Sequence, residues 1–235
     1  MSEDTFTVDK GRAREICRLL ALQGNRIKWY TNVRADVEYE TLAAMREAGC
    51  RLVTVGFESG SQEVLNGMKK GLSLKRSLAF MEDARRAGIL VHGCIMLGNP
   101  GETRETMEES LRFARRLACD SFQFYPLIVY PGTEAYAWAR ERGYLLTEDY
   151  AKWLSPSLSH ASPLSFPGLG MEEIERFCER AYRSYHFNPS YLARKAIQSV
   201  TRRSEGRRNL RSAWRYARYL GRALSPGGAR KAPGA

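Results

Sequence analysis

Strand-like apolar runs alternate with amphipathic helical patterns along most of this chain, and that alternation restricts the fold more than any other feature of the sequence. A helical pattern over Asp9 to about Gly24 leads to "RIKWYTNV", then helix "EYETLAAMREAG", strand "RLVTVGF", helix "SLKRSLAFMEDARRAG", strand "ILVHGCIMLG", helix "TRETMEESLRFARRLA" and strand "SFQFYPLIVY". The strands are near-continuous apolar runs, as expected of strands covered on both faces. Two helices end in "EAG" and "RAG", where glycine takes the left-handed C-terminal position, and Thr103 is placed to cap the helix after "NPGE". This is the grammar of a parallel α/β sheet, either an open doubly wound sheet or a (β/α) barrel.

In both architectures ligands bind at the C-terminal ends of the strands, and the polar residues of this chain collect there. Arg34 and Asp36 follow the first strand, Glu58 to Ser61 the second, "GNPGE" the third and "YPGT" the fourth. Each has a plainer explanation by itself. Arg34 and Asp36 suit a structural ion pair, Glu58 a helix-start carboxylate, and "GNPGE" a turn, since it carries neither the Walker pattern nor the dinucleotide fingerprint. Three strand ends that combine glycine with charge at one edge favour a ligand-facing rim.

Composition narrows the setting. Of 235 residues 43% are apolar, enough for a normal core. No run approaches the roughly 18 apolar residues of a membrane span, and "MSEDTFTVDK" lacks the basic-then-apolar order of a signal peptide, so a cytoplasmic location is expected. Five cysteines (Cys17, Cys50, Cys94, Cys119, Cys178) form no CxxC and no paired framework, and no metal site is expected of them. The net charge of +11 is uneven: from Arg180 onward there are 14 Lys or Arg against Glu205 alone.

The stretches "NVRAD", "VGFESGSQEVLNGMKKG", "IMLGNPGET" and "FYPLIVYPGTEAYAWARERGYL", in this order and spacing, resemble the later two thirds of a radical S-adenosylmethionine (radical SAM) core, closest to its cobalamin-binding enzymes. These are methyltransferases and cyclases acting on unactivated carbons. The resemblance runs from about Glu3 to Trp153, and "SEDTFT" resembles the acidic end of that family's second strand. It implies that Glu58, with Ser59 beside it, contacts the ribose and amino-acid part of S-adenosylmethionine. It further implies that Gly93, Ile95 and Gly98 back the adenine, that Tyr125 lays its strand along the adenine edge, and that Arg34 reaches the methionine carboxylate. A carboxylate acceptor and a guanidinium donor are the groups that a zwitterionic ligand with two ribose hydroxyls requires.

The family also carries a CxxxCxxC loop whose three thiolates hold a 4Fe-4S cluster, and no such triplet occurs in this sequence. The resemblance therefore implies a partial barrel: the C-terminal part of a radical enzyme, inactive alone, with cluster ligands and any cobalamin-binding part outside this chain and a missing N-terminal half as a partner. Cys17, Cys50 and Cys119 are expected on helices or helix ends away from the barrel mouth, and Cys94 in the core. The competing expectation is a non-catalytic barrel remnant that serves as an interaction or membrane-surface module.

Three segments are expected: the partial barrel over 1–153, an irregular segment with helices over 154–200, and a basic tail over 201–235. Asn188 precedes Pro189 as a helix cap. His160 and His186 suit solvation or hydrogen bonding better than metal ligation. Between Arg207 and Leu224, Arg208, Arg211, Arg215, Arg218 and Arg222 lie opposite Leu210, Trp214, Ala217, Leu220 and Leu224. That pattern suits self-packing or an anionic membrane surface at the inner face, in keeping with a lipid-like substrate, better than nucleic acid. "SPGGARKAPGA" reads as an irregular end.

Overall fold

The four apolar runs form β1 (Trp29–Val33), β2 (Cys50–Glu58), β3 (Leu90–Leu97) and β4 (Ser121–Pro126) of one sheet. Every pairing is parallel and the spatial order equals the chain order. A doubly wound sheet reverses its order at a switch point, and this one does not, so the α/β fold is that of a partial (β/α) barrel. The computed structural model describes residues 5–24, 27–153, 164–202, 205–211 and 214. His160, most of the tail helix beyond 211 and the end "SPGGARKAPGA" lie outside the described residues.

Local chemistry sets the helices. Asp9 accepts the Arg12 N–H at 2.9 Å to start α1 (Lys10–Leu22), and α2 (Tyr39–Glu47) crosses from β1 to β2. Between β2 and β3 lie α3 (Gln62–Gly67), a short helix the sequence pattern does not announce, and α4 (Leu74–Ala87), capped by Ser73 and ended by Gly88 at φ 73°. Thr103 caps α5 (Arg104–Leu117) in a reciprocal box with Thr106, as its position predicts. The last strand stops at Pro126, not Tyr130, because its partner β3 ends at Leu97, whose carbonyl takes the last bond from the Leu127 N–H at 2.7 Å. Cys50 opens β2 and is not part of a helix.

Period-two alternation divides the sheet into two unlike faces. Val53, Val55, Phe57, Val91, Ile95, Leu97, Phe122 and Phe124 are buried on the helix-covered face. There Phe57 packs edge-on to Phe80 and stacks with Phe122, and Phe122 also meets Phe124 and Tyr185. α7 (Met171–His186) covers β4: the Tyr185 hydroxyl donates to Cys119 O at 2.7 Å, and His186 Nε2 accepts the Phe122 N–H at 3.3 Å. His186 thus plays the hydrogen-bonding part expected of it.

The chain divides into two compact units, Met1–Leu127 with Ser165–His186, and Ile128–Leu164 with Phe187–Ala235. In the second unit α6 (Glu134–Glu141) is capped by Thr133, and Trp153 packs on Tyr136 and Tyr150 and donates to Thr147 O. α8 (Pro189–Thr201) begins at Asn188, whose side chain accepts the Ser190 N–H, with Pro189 in the first turn. No helix among the described residues is long and apolar enough to cross a membrane.

Candidate functional site

The sheet's second face carries the polar side chains, and over its β1–β2–β3 part lies a cleft of about 300 Å³, at the low end of the roughly 300–1,000 Å³ of ligand pockets. Its lining includes Asn32, Arg34, Asp36, Thr54, Glu58, Lys70 and Cys94. Glu58 enters it through a distortion of β2. Gly56 pairs with Cys94 and Glu58 with the next residue, Ile95, so Phe57 is an extra residue and Glu58 takes the left-handed φ of 65°. Such a backbone costs a non-glycine residue about 1–2 kcal/mol and re-aims its side chain, as bulges beside functional sites do. The carboxylate folds back over Gly56: a Cβ there would lie 2.1 Å from Glu58 Oε1.

Lys70 holds that carboxylate. After α3 the chain passes through Lys69 at φ 53° and Gly71 at φ 64°, a tight reversal that returns Lys70 Nζ to 2.7 Å from Glu58 Oε1. The pair is largely sheltered, at 30% and 17% side-chain exposure. On the other side, Arg34 Nε donates to Asp36 Oδ2 at 3.2 Å and its Nη2 to Lys70 O at 3.5 Å. Two cations and two anions therefore ring the cleft. Asp36 Oδ1 is buried without a hydrogen-bond partner, and an unpaired buried oxygen costs about 1–3 kcal/mol.

Cys94, expected in the core, stands on the cleft face instead, because the alternation that turns Gly93 and Ile95 toward the helices turns it outward. Burial, and then the Glu58 charge, push its thiol up to about 11, with the Tyr125 phenol beside it. Burial likewise raises Tyr125, with Cys94 as the neighbour.

The sequence-derived candidates fall into two sets. Arg34 and Glu58 meet at the cleft. Ser59 is fully buried: its hydroxyl lies 3.2 Å from Ser110 Oγ and accepts the Ser61 N–H at 3.1 Å. Ile95 is buried against the helices, and Gly98 turns the chain at φ 90° beside Ile174 and Phe166. Gly93 leaves room for the Phe122 ring, which a Cβ would approach to 2.6 Å. Gly93→Ala is accordingly expected to lower stability by about 1–3 kcal/mol through overpacking, readable as a lower urea midpoint at an unchanged slope; an unchanged midpoint would show that the ring moves aside freely. Lys70 is the cleft residue that sequence reasoning passed over, although "GMKKG" was its signal.

The five cysteines do not converge. Cys17, Cys50, Cys119 and Cys178 are buried and apart from the cleft, burial raises Cys17 to about 11 and Cys50 and Cys178 to about 12, and no three His, Cys, Asp or Glu among the described residues are placed to hold a metal. Thiols so raised are protonated at neutral pH and poor metal ligands. The residues of this chain do not fit an iron–sulfur cluster.

The family model for the Radical SAM superfamily matches residues 1–114. An uncharacterized methyltransferase of Pyrococcus horikoshii is 31% identical over 191 residues, which are 81% of this chain and 41% of that protein. Bacteriochlorophyllide d C-8(2)-methyltransferase of Chlorobaculum tepidum is 30% identical over 205 residues, 86% of this chain and 46% of its own. The radical SAM methyltransferase TsrM of Kitasatospora setae, solved with cobalamin and a 4Fe-4S cluster, superposes at a TM-score of 0.56 with 22% identity over 75% of this chain and 36% of that one. That likeness concerns the fold. The chain spans less than half the length of these relatives.

Proposed function

We propose that this chain, which belongs to the radical S-adenosylmethionine superfamily, supplies part of the S-adenosylmethionine pocket of an enzyme that modifies an unactivated carbon, by methylation, cyclisation or rearrangement. The observation that carries this reading is the Glu58 carboxylate, set by a bulge and a left-handed backbone at the mouth of the sheet and gripped by Lys70. A ring of two cations and two anions suits a ligand that carries a carboxylate, an ammonium and a sulfonium at once. Arg34 and Lys70 are the donors for the carboxylate; Glu58 is the acceptor for ammonium or ribose hydroxyl protons. The mixed charge of the cleft gives a simple phosphate ligand little advantage.

The superfamily's reductive chemistry belongs to a 4Fe-4S cluster, whose thiolate ligands this chain does not supply. The chain's own residues bind and orient the cofactor's amino-acid end. Methylation is the reaction named for both methyltransferase relatives; cobalamin use, a hydrophobic or lipid-like substrate and a partner bearing the cluster loop are further parts of this reading.

Equilibrium dialysis of the full chain against S-adenosylmethionine tests the proposal directly. Saturable, stoichiometric binding is expected, together with slower maleimide modification of Cys94, the cysteine that lines the cleft, when the ligand is present. Binding that leaves Cys94 labelling unchanged would place the ligand elsewhere, and no saturable binding at millimolar ligand would reject the reading.

A further inference from the structure

α8 is a thirteen-residue helix with no buried residue. Its fold comes from local signals, the Asn188 cap and Pro189 at the first turn, yet helices of this length are marginal in water without a packed face. The face it would pack is conspicuous. Leu192, Ala193, Ala196, Ile197 and Val200 all lie on one side, an arc of roughly 140° at 3.6 residues per turn, and all five are exposed. Leu192, Ile197 and Val200 show 50%, 63% and 83% of their surface.

Among the described residues, the chain's return packs beside that stripe, not on it. The helical turn at 205–211 packs on the side of Ser199: Asn209 Nδ2 donates to Ser199 Oγ at 2.9 Å, and Gly206 approaches until a Cβ would sit 2.7 Å from Ser199 O. Ser199 lies outside the apolar arc. Arg194 and Lys195 stand on its two shoulders, each about 130° from the middle of the stripe, and each lies within 6 Å of the Tyr191 ring between them. Arg202, Arg207, Arg208 and Arg211 follow, all exposed, while Glu205, the one acid among the described residues from 187 onward, is buried.

We propose that α8 docks in the plane of an anionic lipid surface, with Leu192, Ile197 and Val200 in the acyl boundary and the cations reaching headgroup phosphates. An exposed apolar stripe flanked on both sides by long cationic side chains is the pattern of an interfacial helix. Charge selects this occupant over a second copy of the chain: the same face of a second copy offers these cations no exposed acid among the described residues, since Glu205 is buried, whereas an anionic surface offers them negative charge. A nucleic-acid backbone would use the cations and leave the aliphatic stripe in water.

The test is co-sedimentation of the full chain with vesicles of phosphatidylcholine containing about 30% phosphatidylglycerol, against phosphatidylcholine alone. Binding to the anionic vesicles is expected, at least about tenfold weaker on the neutral ones and weakened again at 1 M salt, where the screening length falls to about 3 Å. Leu192→Gln/Ile197→Gln/Val200→Gln should reduce binding at least about tenfold, and Arg194→Gln/Lys195→Gln by a similar factor, near fivefold per cation. None of the five residues is buried, so both variants should melt with the wild type. Equal vesicle binding by wild type and stripe variant would overturn the proposal. So would a concentration-dependent dimer that the stripe variant abolishes, or binding of a labelled oligonucleotide with none to vesicles.

Discussion

Gly60→Ala should lower the unfolding midpoint by roughly 6–12 °C. The loop after β2 lies directly on α5, and Gly60 is where the two backbones meet. A Cβ at this position would stand 2.6 Å from Ser110 Cα, 2.7 Å from Glu109 O and 2.7 Å from Phe113 Cβ. None of these atoms is the end of a flexible side chain, so the loop or the helix must shift. The same contact is polar and sealed: Gly60 N–H donates to Ser110 Oγ at 2.8 Å, Ser59 Oγ shares that hydroxyl, and Ser61 N–H closes on Ser59. Moving the loop outward breaks these bonds in a dry setting, where an unmet polar group costs about 1–3 kcal/mol, and the overpacking adds about 1–3 kcal/mol. About 3 kcal/mol in total at about 2–4 °C per kcal/mol for a chain of this size gives the stated shift. Calorimetry of the variant decides it. A shift under about 2 °C would mean that α5 gives way without resistance and that the Ser59–Ser110 contact does not hold the strand end.

That contact also shows what sequence could and could not reveal. The strands and the caps at Thr103 and Asn188 were legible because each depends on residues within a few positions. So was the place of Glu58, since an apolar run that stops at a carboxylate marks a strand end. The use of Ser59 was not legible: its hydroxyl is engaged by a residue 51 positions away, and nothing local distinguishes a serine facing a ligand from one facing a helix. Lys70 was hidden for a related reason. Its reach to Glu58 depends on left-handed residues on either side of it, Lys69 and Gly71, and at a lysine propensity argues against that conformation. Cys94 was misjudged because a continuously apolar strand conceals which alternate residues face the open side. In α8 the amphipathic pattern was visible, but a pattern cannot say whether its apolar face has a partner.

The same reasoning gives the largest expected effect on ligand binding. Under the proposed reading, Glu58→Gln should weaken S-adenosylmethionine binding about 10- to 100-fold, the equivalent of a charge-assisted hydrogen bond of about 1.5–3 kcal/mol. Gly56→Ala should do nearly the same without touching a ligand-facing group. Its new methyl would occupy the space of Glu58 Oε1, 2.1 Å from the ideal Cβ, and the carboxylate, at the end of a flexible side chain, must swing off the strand and away from Lys70. Little of the core depends on that carboxylate, so the melting temperature should change by far less than in Gly60→Ala. Because both substitutions act through one group, the double variant Gly56→Ala/Glu58→Gln should bind no more weakly than the worse single variant, the non-additivity expected of residues in contact. Titration calorimetry on the four proteins of this cycle reads the coupling directly. Additive losses would show that Gly56 contacts the ligand on its own account, and undiminished binding in Glu58→Gln would remove Glu58 from the pocket and leave Arg34 and Asp36 as the groups to pursue.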